Sequence, residues 1–194
     1  TGLYANDGGV SPKAALLPKQ AIVPSQLAQN GSEFNFDLGA RVYNYGNQAQ
    51  ATVSLNAKIT NPSGATVYDN TVTGLSLAAG DSTDVYPGGA STLPQFSLAT
   101  YPAGTYTMTY TVGLGVADDY DADNVLTTTF TISDSLYSYA QADATTGLPA
   151  GGNFYRPGTN NQTFSACTVI NDPNASRLNA EGIFFASTTS TASG

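Results

Sequence analysis

From Gly104 to Gly115 apolar and hydroxyl residues alternate cleanly, with Tyr106, Met108, Tyr110, Val112 and Leu114 on one face and Thr105, Thr107, Thr109 and Thr111 on the other. A period of two places successive side chains on opposite faces and predicts a half-buried strand. The same pattern predicts a strand from Val53 to Ile59, whose inward set is Val53, Leu55, Ala57 and Ile59. Phe34, Phe36, Leu38, Ala40, Val42 and Tyr43 predict another, broken near Gly39. Val67–Asp69, Val72–Leu77, Thr83–Tyr86 and Val125–Ile132 complete the series. No segment carries an apolar stripe at helical spacing over three turns.

Turn chemistry punctuates these runs. Asn44-Tyr45-Gly46-Asn47, Asn61-Pro62-Ser63-Gly64, Ala79-Gly80-Asp81 and Pro87-Gly88-Gly89 each join two of them. About seven short strands within roughly 100 residues are what an antiparallel, immunoglobulin-like sandwich requires. The expected architecture is therefore all-β, with the sandwich at residues 32–134. Residues 1–31 carry Pro12, Pro18 and Pro24, which forbid a long helix and favour an extended segment; Ala21-Ile22-Val23 reads as a short edge strand. Residues 135–194 hold weak strand patterns near Phe164–Ile170 and Gly182–Ala186 and a Ser/Thr-rich tail. They read as a partial β-module, because two or three strands rarely stand alone.

Composition narrows the function classes. Charged residues make up 10% of the 194-residue chain and the net charge is −8. Six scattered basic residues form no stripe that could neutralise phosphates, so nucleic acid and anionic membranes are poor partners. No run of apolar residues is long enough to span a membrane as a helix. The start at Thr1, without a basic or apolar leader, reads as a processed product or an excised fragment. Solubility resting on Thr, Ser, Asn and Gly suits an extracellular or cell-surface protein.

The strings Val42-Tyr43-Asn44-Tyr45-Gly46 and Asn61-Pro62-Ser63-Gly64 resemble the opening motifs of CARDB-like immunoglobulin modules. Pro102-Ala103-Gly104-Thr105-Tyr106 with its alternating Thr, and Asp121-Ala122-Asp123-Asn124 before Thr127–Ile132, are similar to the closing hairpin of such modules. Asp134-Ser135-Leu136-Tyr137 resembles the junction between β-modules in large secreted Bacteroidota proteins exported by the type IX route. The resemblance covers roughly residues 20–140 and implies a β-sandwich module of a cell-surface or extracellular protein. It also implies O-glycosylation at Ser82 and Ser135, which follow Asp81 and Asp134.

Histidine is absent, so Ser-His-Asp and Cys-His arrangements and His-ligated zinc are excluded. Cys167 is the single cysteine and has no His to activate it, so it reads as a buried structural thiol rather than a nucleophile. Glu33 and Glu181 are the only glutamates and stand apart, which argues against a glycosidase pair. The one loop with site-like chemistry is acidic. Asp119, Asp121 and Asp123, spaced by two beside Asp118 and Asn124, are candidate calcium ligands. The loop is not an EF-hand, since Asn124 and Phe130 stand where that motif has Gly and Glu. A solvated hairpin tip is the other reading. Tyr106, Tyr110, Phe130 and Tyr43 read as core rather than as a binding platform.

The expected function is non-catalytic: a structural or adhesive module, either a spacer of a large surface protein or a filament subunit that pairs with copies of itself or other surface domains by strand addition. A glycan- or peptide-binding accessory module of a secreted enzyme is the alternative.

Overall fold

A computed structural model describes residues 4–143, 146, 167 and 169–184. Among these residues ten strands form two facing sheets and a small ribbon. They are β1 (Gly8–Ala15), β2 (Ile22–Pro24), β3 (Asn35–Phe36), β4 (Ala40–Asn44), β5 (Gln50–Thr60), β6 (Thr66–Leu77), β7 (Ser82–Val85), β8 (Phe96–Ser97), β9 (Gly104–Leu114) and β10 (Val125–Ser133). The order in one sheet is β2-β10-β9-β5-β6, in the other β1-β4-β7, and β3 pairs with β8. The all-β sandwich expected from alternation is what the chain forms.

Alternation and burial coincide strand by strand. Tyr106, Met108 and Tyr110 are fully buried on β9, as are Leu55, Ala57 and Ile59 on β5 beside it. Ala40, Val42 and Val85 face them from the smaller sheet. Full burial of each of the larger aliphatic side chains among these stabilises by about 1.5–3 kcal/mol. Between the sheets Phe34, Phe36, Phe96, Tyr101, Tyr106 and Phe130 make one aromatic cluster; the Tyr106 and Phe130 rings stack at 4.8 Å. Tyr43 departs from the core expectation. It is half-buried and stacks on the exposed Tyr45 ring at 5.1 Å, because its position on β4 is the outward one between Val42 and Asn44.

Residues 8–24 are woven into both sheets. β1 pairs antiparallel with β4, and its register slips between Val10 and Ala15, the stretch that contains Pro12. A residue without an N–H is tolerated there because β1 is an edge strand. β2 pairs with β10 in parallel, the one non-antiparallel pair in these sheets. The two strands lie about a hundred residues apart in sequence, so no hairpin dictates their direction. Two phenols lock this N-terminal stretch down: the buried Tyr110 donates through Oη to Leu16 O, and the half-buried Tyr86 donates through Oη to Ala14 O.

Beyond β10, Ser138 pairs with Ile22, and Arg177 reaches Glu33 at 3.0 Å and Gln26 O at 2.9 Å. Val169, Ile170 and Gly182–Phe184 are not in strands, and Val169, Ile170, Ile183 and Phe184 are exposed. The rest of the two expected C-terminal strands lies outside the described residues. Cys167 is exposed, contrary to the buried thiol expected for it; no strand carries it into the core. Among the described residues no helix is long and apolar enough to cross a membrane.

Candidate functional site

One end of the sandwich gathers three segments: residues 4–7 before β1, the loop 45–49 between β4 and β5, and the acidic loop 115–124 between β9 and β10. Main-chain hydrogen bonds lace them together. Tyr45 N and Gly46 N donate to Asp7 O at 2.7 and 3.3 Å, Gln48 N donates to Ala5 O, and Asp119 N donates to Asn6 O. Asn44 anchors the middle loop from inside. Its side-chain amide donates to Gln48 O and Ala78 O, both at 2.9 Å, while its Oδ1 accepts from Gly46 N.

The acidic residues divide into two kinds. Asp118 and Asp119 are engaged by main-chain donors. Asp118 Oδ2 accepts from Gly8 N and from Asn124 Nδ2, each at 3.0 Å, and its Oδ1 accepts from Tyr120 N. Asp119 Oδ2 accepts from Ala5 N and Asn6 N at 3.1 and 2.9 Å. Asp121 and Asp123 bound a single 3-10 turn, in which Asp121 is exposed. Asp123 Oδ1 is enclosed without a hydrogen-bond partner, and so are Asp7 Oδ1 and Asn124 Oδ1. Buried polar atoms are paired in the great majority of cases, so three orphan oxygens in one region are unusual.

Electrostatics reinforces the contrast. Burial pushes the Asp7 carboxyl up from its ordinary value, and Asp123, Asp118 and Asp119 push it further. Burial, followed by repulsion from Asp118, raises Asp123. The ion pairs seen among the described residues, Arg41–Asp84 and Arg177–Glu33, lie elsewhere. Gly9 is confined from both sides: a Cβ there would stand 2.6 Å from the Tyr45 ring and 3.0 Å from Asp123 Oδ2. Its missing side chain lets the acidic loop close over β1.

Exposed aromatic rings flank the carboxylates. Tyr4 stacks on Tyr120 at 5.6 Å, and Tyr43 on Tyr45 at 5.1 Å. Tyr4, Tyr45 and Tyr120 are 38%, 41% and 44% exposed, so these pairs present faces to solvent rather than to the core. Elsewhere a cleft of about 190 Å³ lies against Leu27, Phe34, Phe36 and Tyr137. It is smaller than the roughly 300–1,000 Å³ of most small-molecule sites.

Of the three carboxylates expected to bind calcium, the structure therefore ties Asp119 to the N-terminal segment, leaves Asp121 in solvent and encloses an oxygen of Asp123. Among the described residues no three carboxylates, cysteines or histidines converge as a ready-made metal cage. Asp7 escaped the sequence reading because its acidic neighbours stand more than 110 residues away; a lone Asp in a Gly-rich segment carries no local signal. Tyr4, Tyr45 and Tyr120 escaped for the same reason. The two serines expected to carry glycans differ: Ser135 is exposed, whereas Ser82 is half-buried in β7 opposite Tyr43.

No family model matches the sequence, and no curated protein matches it. Solved structures resemble the fold. The CARDB domain of a Pyrococcus furiosus protein, crystallised in complex with di-metal ions, is 16% identical with a TM-score of 0.43, over 68% of this chain and 91% of that one. A domain of a protein assigned to the cell surface of Methanosarcina acetivorans is 20% identical with a TM-score of 0.31, over 60% of this chain and 93% of that one.

Proposed function

We propose that this chain is a non-catalytic extracellular module that spaces or attaches parts of a larger surface assembly, with the Asp- and Tyr-bearing end of the sandwich as its contact point. The observation that carries the reading is the pair of stacked, solvent-facing tyrosine couples beside an acidic patch. Flat aromatic faces next to hydrogen-bond acceptors are contact chemistry: they bury area at low entropic cost. Asp118 and Asp119 are committed to main-chain N–H groups, and the sequence has no histidine to serve as a general base.

Within this reading the spacer is better supported than the filament. A filament built by donating residues 1–31 to a neighbour needs that segment free, whereas β1 and β2 are spent on their own sheets. Strand addition would use the outer edge of β6, a 12-residue strand that among the described residues pairs only on its β5 side. Three register irregularities along β5–β6 twist that edge away from easy pairing.

A second reading, recognition of a glycan, is favoured by the same tyrosine couples, since sugar rings stack on aromatic faces. Glycan arrays and sedimentation of the isolated chain separate the two. Saturable binding to a defined sugar that is lost in Tyr45→Ala and Tyr120→Ala supports glycan recognition. A monomer that binds no sugar but binds a neighbouring surface domain supports the spacer, and concentration-dependent fibre growth would refute both.

A further inference from the structure

We propose that the acidic end of the sandwich is a calcium site whose side-chain ligands are Asp7 Oδ1, Asp123 Oδ1 and Asn124 Oδ1, oriented by Asp118. This inference does not rest on the spacer reading: a catalytic or purely structural chain would present the same oxygens.

The argument starts from Asp7. It is 7% exposed, yet its Oδ1 has no donor. An enclosed carboxylate oxygen without a donor is strongly disfavoured, so something must compensate it. Its carboxylate is close enough to Asp123 for mutual repulsion, and Asp123 Oδ1 is itself enclosed and unpartnered. Asn124 supplies the third orphan. Its amide nitrogen is held by Asp118 Oδ2 at 3.0 Å, which turns the amide oxygen away from that bond and leaves it unpartnered. Two anionic oxygens and one amide oxygen, with no basic side chain paired among them, form a hard-oxygen set that a divalent cation neutralises.

The scaffold is suited to an irregular site. Asp119 clamps the N-terminal segment through Ala5 N and Asn6 N, and Gly8 N docks on Asp118. Asp7, two residues from one clamp and one from the other, is thereby held against the 118–124 loop. Calcium accepts mixed carboxylate, amide and main-chain oxygens in flexible geometry, whereas magnesium demands a near-ideal octahedron. The set therefore favours calcium. It also differs from a linear calcium loop, because its first ligand comes from the far end of the chain.

Terbium is the probe for the test, as a calcium surrogate whose emission is excited through nearby tyrosines; Tyr45 lies against Gly9 beside Asp123. Titrated into the full chain, terbium should give saturable emission on tyrosine excitation, and calcium should displace it. Calcium in large excess over its Kd should raise the melting temperature by about 5–10 °C relative to EDTA. Asp7→Asn and, separately, Asp123→Asn should weaken both responses about tenfold or more, while each variant in EDTA melts no lower than the parent because a repulsion is gone. Asp121→Asn should change neither response. Absence of saturable emission and of any calcium-dependent melting shift overturns the proposal, as water or a shared proton then satisfies these oxygens. Retention of both responses in Asp7→Asn and Asp123→Asn, with loss in Asp121→Asn, also overturns it in favour of the exposed loop.

Discussion

Tyr110→Phe tests how the N-terminal strand is held. The Tyr110 ring is fully buried on the central strand β9, and its hydroxyl reaches through the core to the opposite sheet. There it accepts from Gly39 N and donates to Leu16 O, both at 2.9 Å, while Leu16 N donates to Gly39 O at 2.8 Å. The phenol thus completes a main-chain pair whose second half geometry has left open. Phenylalanine keeps the ring and its packing, so no large cavity forms. What is lost is the partner of a buried N–H and of a half-buried carbonyl. Leaving one buried group unsatisfied costs about 1–3 kcal/mol. With the carbonyl only partly enclosed, the total comes to about 2–3 kcal/mol, or roughly 5–10 °C in melting temperature for a domain of this size. Urea unfolding followed by circular dichroism should show a lower midpoint at an unchanged m-value. Amide exchange at Gly39 should accelerate in parallel. A loss below about 0.5 kcal/mol with Gly39 still protected would refute the clamp. The stakes are functional, since β1 held in its own sheet separates a self-contained spacer from a strand-donating filament subunit.

Other expectations follow from single contacts. Asn44→Ala removes an enclosed amide that serves three carbonyls and one N–H of the 44–48 and 77–78 backbone, and should lower stability by about 2–4 kcal/mol in the same urea assay; a change under about 1 kcal/mol would count against it. Gly104 has φ +126° and a Cβ there would sit 2.7 Å from Pro62 Cβ, so Gly104→Ala should destabilise by about 1–3 kcal/mol. Gly182→Ala, with nothing within 4 Å, should be neutral in that comparison. The hydrogen bond from Arg177 holds the Glu33 carboxyl below its ordinary value. Since the folded value lies below the unfolded one, the stability it contributes is full above about 4.5, the ordinary carboxyl value, and fades as pH falls through the folded value. NMR titration should place the Glu33 midpoint below that value in the parent and return it upward in Arg177→Ala; an unmoved midpoint would show that residues 172–184 do not dock as described.

How much of this was legible beforehand varied with the range of the interaction. Alternation over residues 53–59 and 104–114 determined the strands, their inward faces and the all-β class, because side-chain direction in a strand depends on parity alone. The breaks at Gly39 and Asn61–Gly64 were legible from turn chemistry, and the edge strand at residues 21–23 from its short apolar run. The pairing of β3 with β8 was not, since a two-residue strand carries too little periodicity to reveal a distant partner; Phe96 is buried where Phe36, Tyr68, Tyr101 and Phe130 converge on it. Tyr43 went the same way: its neighbours on one strand could not reveal that its ring would stack outward on Tyr45. The clearest division is at the acidic end. The chain alone displayed a run of aspartates between Asp118 and Asp123. Which oxygens are capped by main-chain N–H groups, which are exposed and which are enclosed depended on a segment more than 110 residues upstream closing against them. Local sequence specifies direction and turn; partnership between distant segments is set by the packing of the whole core, and there the role of Asp7 was decided.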